Sequence, residues 1–145
     1  MFEKPPFTEK EERLILDAIK AAELNTSGEI RLHVEKHCKI DPYERAVEVF
    51  DKLGMAKTEL RNGVLVYMAI VDHKFAILGD EGINKVVPEG FWVGTKDVMA
   101  GKFKEGKIAE GIALGIHDAG EQLQAHFPYQ KDDTNELKDD ISYGK

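Results

Sequence analysis

An α/β fold, a three-layer α/β/α sandwich around a small mixed β-sheet, is predicted by three features of this 145-residue chain. Residues 29–36 alternate between polar and apolar, residues 64–71 are apolar without a break, and the segments around them repeat apolar residues at helical spacing. An alternating strand has one polar face, whereas a strand apolar throughout is covered on both faces. Helices on both sides of the sheet satisfy these requirements together.

The elements follow in order. Pro5 and Pro6 delay the first helix, and Thr8 with Glu11 forms a capping box. Leu14, Ile15, Ala18, Ile19 and Ala22 then make an apolar stripe that Asn25-Thr26-Ser27-Gly28 ends. In the first strand Ile30, Leu32 and Val34 point one way and Glu29, Arg31, His33 and Glu35 the other. Asp41 and Pro42 start a second helix by capping and by a preset φ. Its expected stripe is Tyr43, Ala46, Val47, Phe50 and Leu53, and Gly54 stops it. Arg61-Asn62-Gly63 turns into the central strand, and Asp72-His73 makes a hairpin into Phe75-Ala76-Ile77-Leu78. Gly79-Asp80-Glu81-Gly82 breaks that strand. Two helices are expected near 89–104 and 107–126, the second with Gly111 and Gly115 for close approach to a neighbour. Residues 1–127 form the expected domain and 128–145 a polar tail, with Leu137, Ile141 and Tyr143 as anchors.

A right-handed crossover makes the first two strands parallel, and the hairpin makes the third antiparallel. Three turns therefore converge at one rim of the sheet: Ser27-Gly28-Glu29, Arg61-Asn62-Gly63 and Gly79-Asp80-Glu81-Gly82. Asp72 and His73 fall at the opposite rim with His37, Cys38 and Asp41.

Composition narrows the function classes. Twenty Lys and Arg against 27 Asp and Glu leave a net charge of −7, which disfavours nonspecific binding to nucleic acid or anionic lipid and suits cations. A lone cysteine, Cys38, forms no internal disulfide and no Cys-x-x-Cys pair. The charged opening MFEKPPFTEKEERL does not resemble a signal peptide, and no apolar run reaches a membrane span; the expected setting is the cytoplasm.

At the first rim, carboxylates, an amide and tight-turn carbonyls are the oxygen donors calcium takes, with magnesium or manganese as alternatives. Glu29, Asn62, Asp80 and Glu81 are the candidate ligands. Turn-forming glycines and solvated acids would account for the same residues, and Asp72 and Asp41 at the opposite rim are the next candidates. His33, Glu35 and His37 read as a partly solvated polar face rather than a zinc site. Cys38 followed by Arg45 does not fit a cysteine phosphatase loop, because six residues intervene, no glycine is present and Pro42 removes an N–H donor. Phosphate-loop, His-Glu-x-x-His and Gly-x-Ser-x-Gly patterns are absent. Arg61 is the candidate at the first rim for holding a phosphate.

Several motifs occur together: Thr26-Ser27-Gly28-Glu29-Ile30, Leu53-Gly54-Met55, Thr58 before Arg61-Asn62-Gly63-Val64-Leu65, Asp72, Gly79-Asp80-Glu81-Gly82-Ile83, and Phe103 and Gly106 before Gly111-Ile112. Their order and spacing over roughly residues 8–127 resemble the TPM domain family, and Asn135-Glu136-Leu137 with Ile141-Ser142-Tyr143-Gly144 resembles a soluble subgroup. The resemblance implies an α/β/α sandwich and divalent-cation binding, often calcium, in a groove. It also implies, for members in photosynthetic membranes, a reported acid phosphatase activity, and for others a membrane anchor. The resulting expectation is a calcium-binding module without robust catalysis, with no nucleic-acid partner and no membrane insertion, and with a protein partner possible. A metal-dependent acid phosphatase acting through metal-bound water is the alternative.

Overall fold

Four strands form one open mixed sheet in the order β3-β2-β1-β4. The computed structural model describes residues 4–129 and 141–144. The elements are α1 (Glu9–Glu23), β1 (Glu29–Glu35), α2 (Pro42–Lys52), β2 (Gly63–Ala69), β3 (Lys74–Gly79), α3 (Glu81–Asn84), α4 (Val93–Lys104), α5 (Ile108–Gln124) and β4 (Ile141–Tyr143). β1 and β2 are parallel with Glu29 opposite Gly63 and His33 opposite Tyr67. β3 is antiparallel to β2, and β4 is parallel to β1 on its outer edge.

Strand alternation separates the two cores. Ile30, Leu32 and Val34 of β1 and Val64, Val66 and Met68 of β2 face α1, α4 and α5. Leu65, Tyr67, Ala69, Ala76 and Leu78 face α2. β2 is buried at every position, as its unbroken apolar run requires. The expected helix-to-helix contact is also present: a Cβ on Gly115 would lie 2.4 Å from Met99 Sδ, so any larger residue would have to push the Met99 side chain of α4 aside.

The capping box of α1 forms, with Thr8 and Glu11 each accepting from the other's backbone N–H. Asp41 caps α2 by accepting from Tyr43 and Glu44 N–H, with Pro42 at the first position.

Five local expectations need correction. The buried stripe of α2 is Ala46, Val49 and Phe50, while Tyr43 and Val47 are exposed, because the helix turns its 46/49/50 side to the sheet. β2 ends at Ala69, and Ile70 and Val71 belong to the hairpin turn, with Val71 exposed. The segment 79–82 is not only a strand break: Asp80 caps the short helix α3. Residues 89–92 precede α4 rather than open it. Within the polar tail, Ile141 and Tyr143 lie in β4, which adds a fourth strand; Leu137 is outside the described residues. Among the described residues, no helix is long and apolar enough to cross a membrane.

Candidate functional site

The parallel register builds the first rim. Glu29 opens β1 opposite Gly63, and the Asp80 N–H donates to the Gly63 carbonyl at 2.9 Å. Alternation then puts Glu29 and Asp80 on the α2 face of the sheet, on either side of a residue with no side chain. Backbone bonds tie the three turns together: Glu29 N–H to Asn62 O at 3.3 Å and Gly82 N–H to Arg61 O at 2.9 Å. At Gly82 a Cβ would stand 2.1 Å from the Leu60 carbonyl oxygen and 2.6 Å from that of Arg61, so the approach of α3 to this turn depends on glycine. Arg61 adopts a left-handed φ of 51° at the same turn.

All four sequence-predicted ligands therefore lie at one rim, but not in equivalent settings. Asp80, Glu29 and Asn62 are buried, whereas Glu81 is exposed. The Asn62 amide donates to Ser27 Oγ at 3.4 Å. Asp80 faces a cation already. Arg61 Nε donates to Asp80 Oδ2 at 2.8 Å and its Nη2 to Oδ1 at 3.0 Å, while Nη1 reaches Glu81 Oε1 at 3.3 Å. Oδ1 also accepts from the Glu81 N–H at 2.7 Å. The Arg61 side chain is 40% exposed against 5% for Asp80, so its guanidinium can leave for water while the carboxylate stays in place. Proximity to Asp80 holds the Arg61 guanidinium above its ordinary pKa. Nearby, the Thr58 hydroxyl is buried with no hydrogen-bond partner among the described residues. Among those residues, no group of three or more His, Cys, Asp or Glu side chains is close enough together to hold a metal.

The opposite rim forms as the topology predicts, but its acids are committed to the fold. Asp72 Oδ1 pairs with His37 Nδ1 at 3.0 Å, and Oδ2 accepts from the Cys38 N–H at 2.7 Å. These bonds, that of His37 foremost, hold the Asp72 carboxyl below its usual range. Lys74 Nζ donates to the Cys38 carbonyl at 3.0 Å, and the Cys38 thiol, buried, donates to Ile40 O at 3.1 Å. Asp41 is occupied as the cap of α2.

Sequence reasoning missed a third cluster, on the α2 face of the sheet. His33 and Glu35 share a face as alternation requires, but His37 lies beyond the end of β1 and turns to Asp72. Glu35 is instead the hub of a buried network. Its Oε1 accepts from His33 Nε2 at 3.2 Å and Arg45 Nη2 at 3.0 Å; its Oε2 accepts from Arg45 Nε at 2.8 Å and from the Tyr67 hydroxyl. Arg45 also reaches Glu48 at 2.9 Å. Burial alone would raise the Glu35 pKa, but the donors, Arg45 foremost, bring it down to about 2. Burial and the adjacent carboxylate push the Tyr67 hydroxyl up. A cavity of about 440 Å³ opens beside this network, lined by Glu35, His37, Cys38, Ile40, Arg45 and Glu48. The signal available in the sequence was the register: once Glu29 stands opposite Gly63, His33 stands opposite Tyr67.

Fold and rims define a class: a single α/β domain whose polar strand edges converge on glycine turns. The match to the TPM domain model covers residues 6–122, and the chain belongs to the TPM domain family. It is similar to the BA42 protein of the psychrophilic bacterium Bizionia argentinensis, solved by NMR. The two are 47% identical over 99% of each chain, with a TM-score of 0.92. No curated protein matches the chain.

Proposed function

We propose that the chain is a cytoplasmic divalent-cation-binding TPM module, with calcium at the rim where β1 and β2 begin and Glu29, Asn62, Asp80 and Glu81 supplying oxygen. The observation that carries this reading is the Arg61–Asp80 pair. A buried carboxylate is held in place by the backbone, facing an arginine whose side chain is 40% exposed and can be exchanged. Calcium would take the guanidinium's place and draw the carboxylates, which are not gathered around one point without it, toward itself, with water and turn carbonyls completing its six to eight oxygens. Two buried acids and an amide fit a modest-affinity site better than a closed cage. Magnesium keeps more of its own water, so it fits the same rim through fewer side chains.

Catalysis is not part of the reading. Phosphoryl transfer needs an oriented nucleophile and positive charge on the transferring oxygens. Here the Cys38 thiol is buried and donates to a carbonyl, and the guanidinium of Arg61 is paired with Asp80. Any hydrolysis would rest on metal-bound water, so it should need the ion and disappear in Asp80→Ala.

The test is calcium titration followed by NMR. Amide shifts should concentrate at 27–29, 60–63 and 79–82, and Asp80→Ala should lose them. Shifts confined to 37–41 and 72–74 would move the site to the opposite rim. Hydrolysis of a generic phosphomonoester with calcium, magnesium or manganese should be negligible. Robust ion-dependent turnover abolished by Asp80→Ala would establish the phosphatase instead.

A further inference from the structure

β4 and the residue after it lie on the buried His33–Glu35 pair, and their contacts there are polar. Ser142 Oγ is 2.8 Å from His33 Nδ1, the Gly144 N–H donates to the Val34 carbonyl at 2.7 Å, and the Tyr143 hydroxyl meets Glu12 Oε1 at 2.8 Å. Gly144 lies directly over the pair: a Cβ there would stand 2.5 Å from Glu35 Oε1 and 2.8 Å from His33 Nε2. Ile141 is only partly buried and Tyr143 is 41% exposed. A short edge strand with so little apolar burial belongs to the low-stability end of a fold, where local opening precedes global unfolding.

We propose that residues 141–144 are a releasable strap seated on the His33–Glu35 pair, and that acid favours its release. The coupling follows from the burial of the imidazole beneath the strap, where His33 is 6% exposed. Ionised Glu35 can only accept, so Nε2 of neutral His33 carries the proton and Nδ1 accepts from the Ser142 hydroxyl. A second proton would sit on Nδ1, where Ser142 Oγ could turn to accept it, but the resulting charge would lie beneath the strap and away from water. The charged and titratable groups facing His33 do not favour it strongly enough. Among the described residues these are, on β1, Arg31 and Glu35, on α2 Arg45 with Glu48 behind it, and on β2 Tyr67, whose ring stacks at 6.1 Å; β4 itself contributes Ser142 and no charge. Glu35 is already matched by Arg45, and burial holds the His33 pKa below its ordinary value. With the strap released, water reaches Nδ1 and the imidazole protonates more readily. Linkage then makes release more favourable as pH falls below about 6.5.

The test uses the full chain. Native-state hydrogen exchange at the Gly144 N–H, corrected for intrinsic rate, is compared with the Val66 N–H of β2 at about pH 7.5 and 5.5; each pKa unit between seated and released states gives about tenfold in protection. Gly144 should exchange through local opening and lose protection at the lower pH, while Val66 holds. Ser142→Ala and Gly144→Ala should raise the His33 titration toward its ordinary value and leave β2 protected. Two results would overturn the strap: Gly144 exchanging only with global unfolding at both pH values, or His33 titrating identically in the wild type and in both variants.

Discussion

The sheet carries the same pairing twice, an arginine forked onto a buried carboxylate, and the two copies differ in what surrounds them. At Arg45–Glu35 the carboxylate receives four donors, from Arg45, His33 and Tyr67, and the arginine side chain is 25% exposed. At Arg61–Asp80 the carboxylate receives the fork and one backbone N–H, and the arginine side chain is 40% exposed. A carboxylate filled by side chains from three elements fixes those elements to one another. One held largely by a single exposed arginine keeps its position and can exchange its partner. The first pair is therefore assigned to stability and the second to ion binding.

The largest expected effect separates them. Glu35→Ala leaves Arg45, Tyr67 and His33 without their shared acceptor and should cost about 3–5 kcal/mol in denaturant unfolding, as breaking a buried pair does. Asp80→Ala frees an arginine that can turn to water. It should cost about 1–2 kcal/mol, chiefly through the lost cap of α3. Equal losses at the two sites would erase the distinction.

Acid should probe the first pair. The Glu35 pKa is about 2 in the folded chain, below its ordinary 4.5. The unfolded chain therefore takes up the proton first, and the stabilisation present above about pH 4.5 is lost as pH falls toward 2. His33, lowered from 6.5, adds an earlier loss of the same sign as pH falls below 6.5. A Glu35→Gln chain should show a flatter acid limb in chemical unfolding at a series of pH values; an unchanged limb would place the acid sensitivity elsewhere.

Much of this was legible in the sequence, and for identifiable reasons. The unbroken run after Gly63 could only be a strand buried on both faces, and the crossover rule then brought 27–29, 61–63 and 79–82 to one rim. The Arg61–Asp80 pair was not legible, because composition shows which charges exist but not which ones meet. The Glu35 hub was hidden for a different reason: Tyr67 reads as one more apolar strand residue, and only the exact register reveals that its hydroxyl reaches Glu35. β4 was concealed because an edge strand of three residues carries no periodicity to detect. The capped turn of α3 was concealed because Gly82, which usually breaks a helix, is there for close approach to the 60–61 carbonyls.

The smallest expected effect on stability is also the most informative about the ion. Arg61→Gln removes the exchangeable cation, and because the guanidinium is open to water it should change unfolding little. Calorimetric titration of calcium into wild type and Arg61→Gln then tests the exchange of guanidinium for metal directly. Calcium should bind the variant more tightly by about threefold or more, since it no longer displaces an arginine from Asp80. Weaker binding in Arg61→Gln, or calcium affinity that neither Arg61→Gln nor Asp80→Ala alters, would contradict the assignment of the ion to this rim.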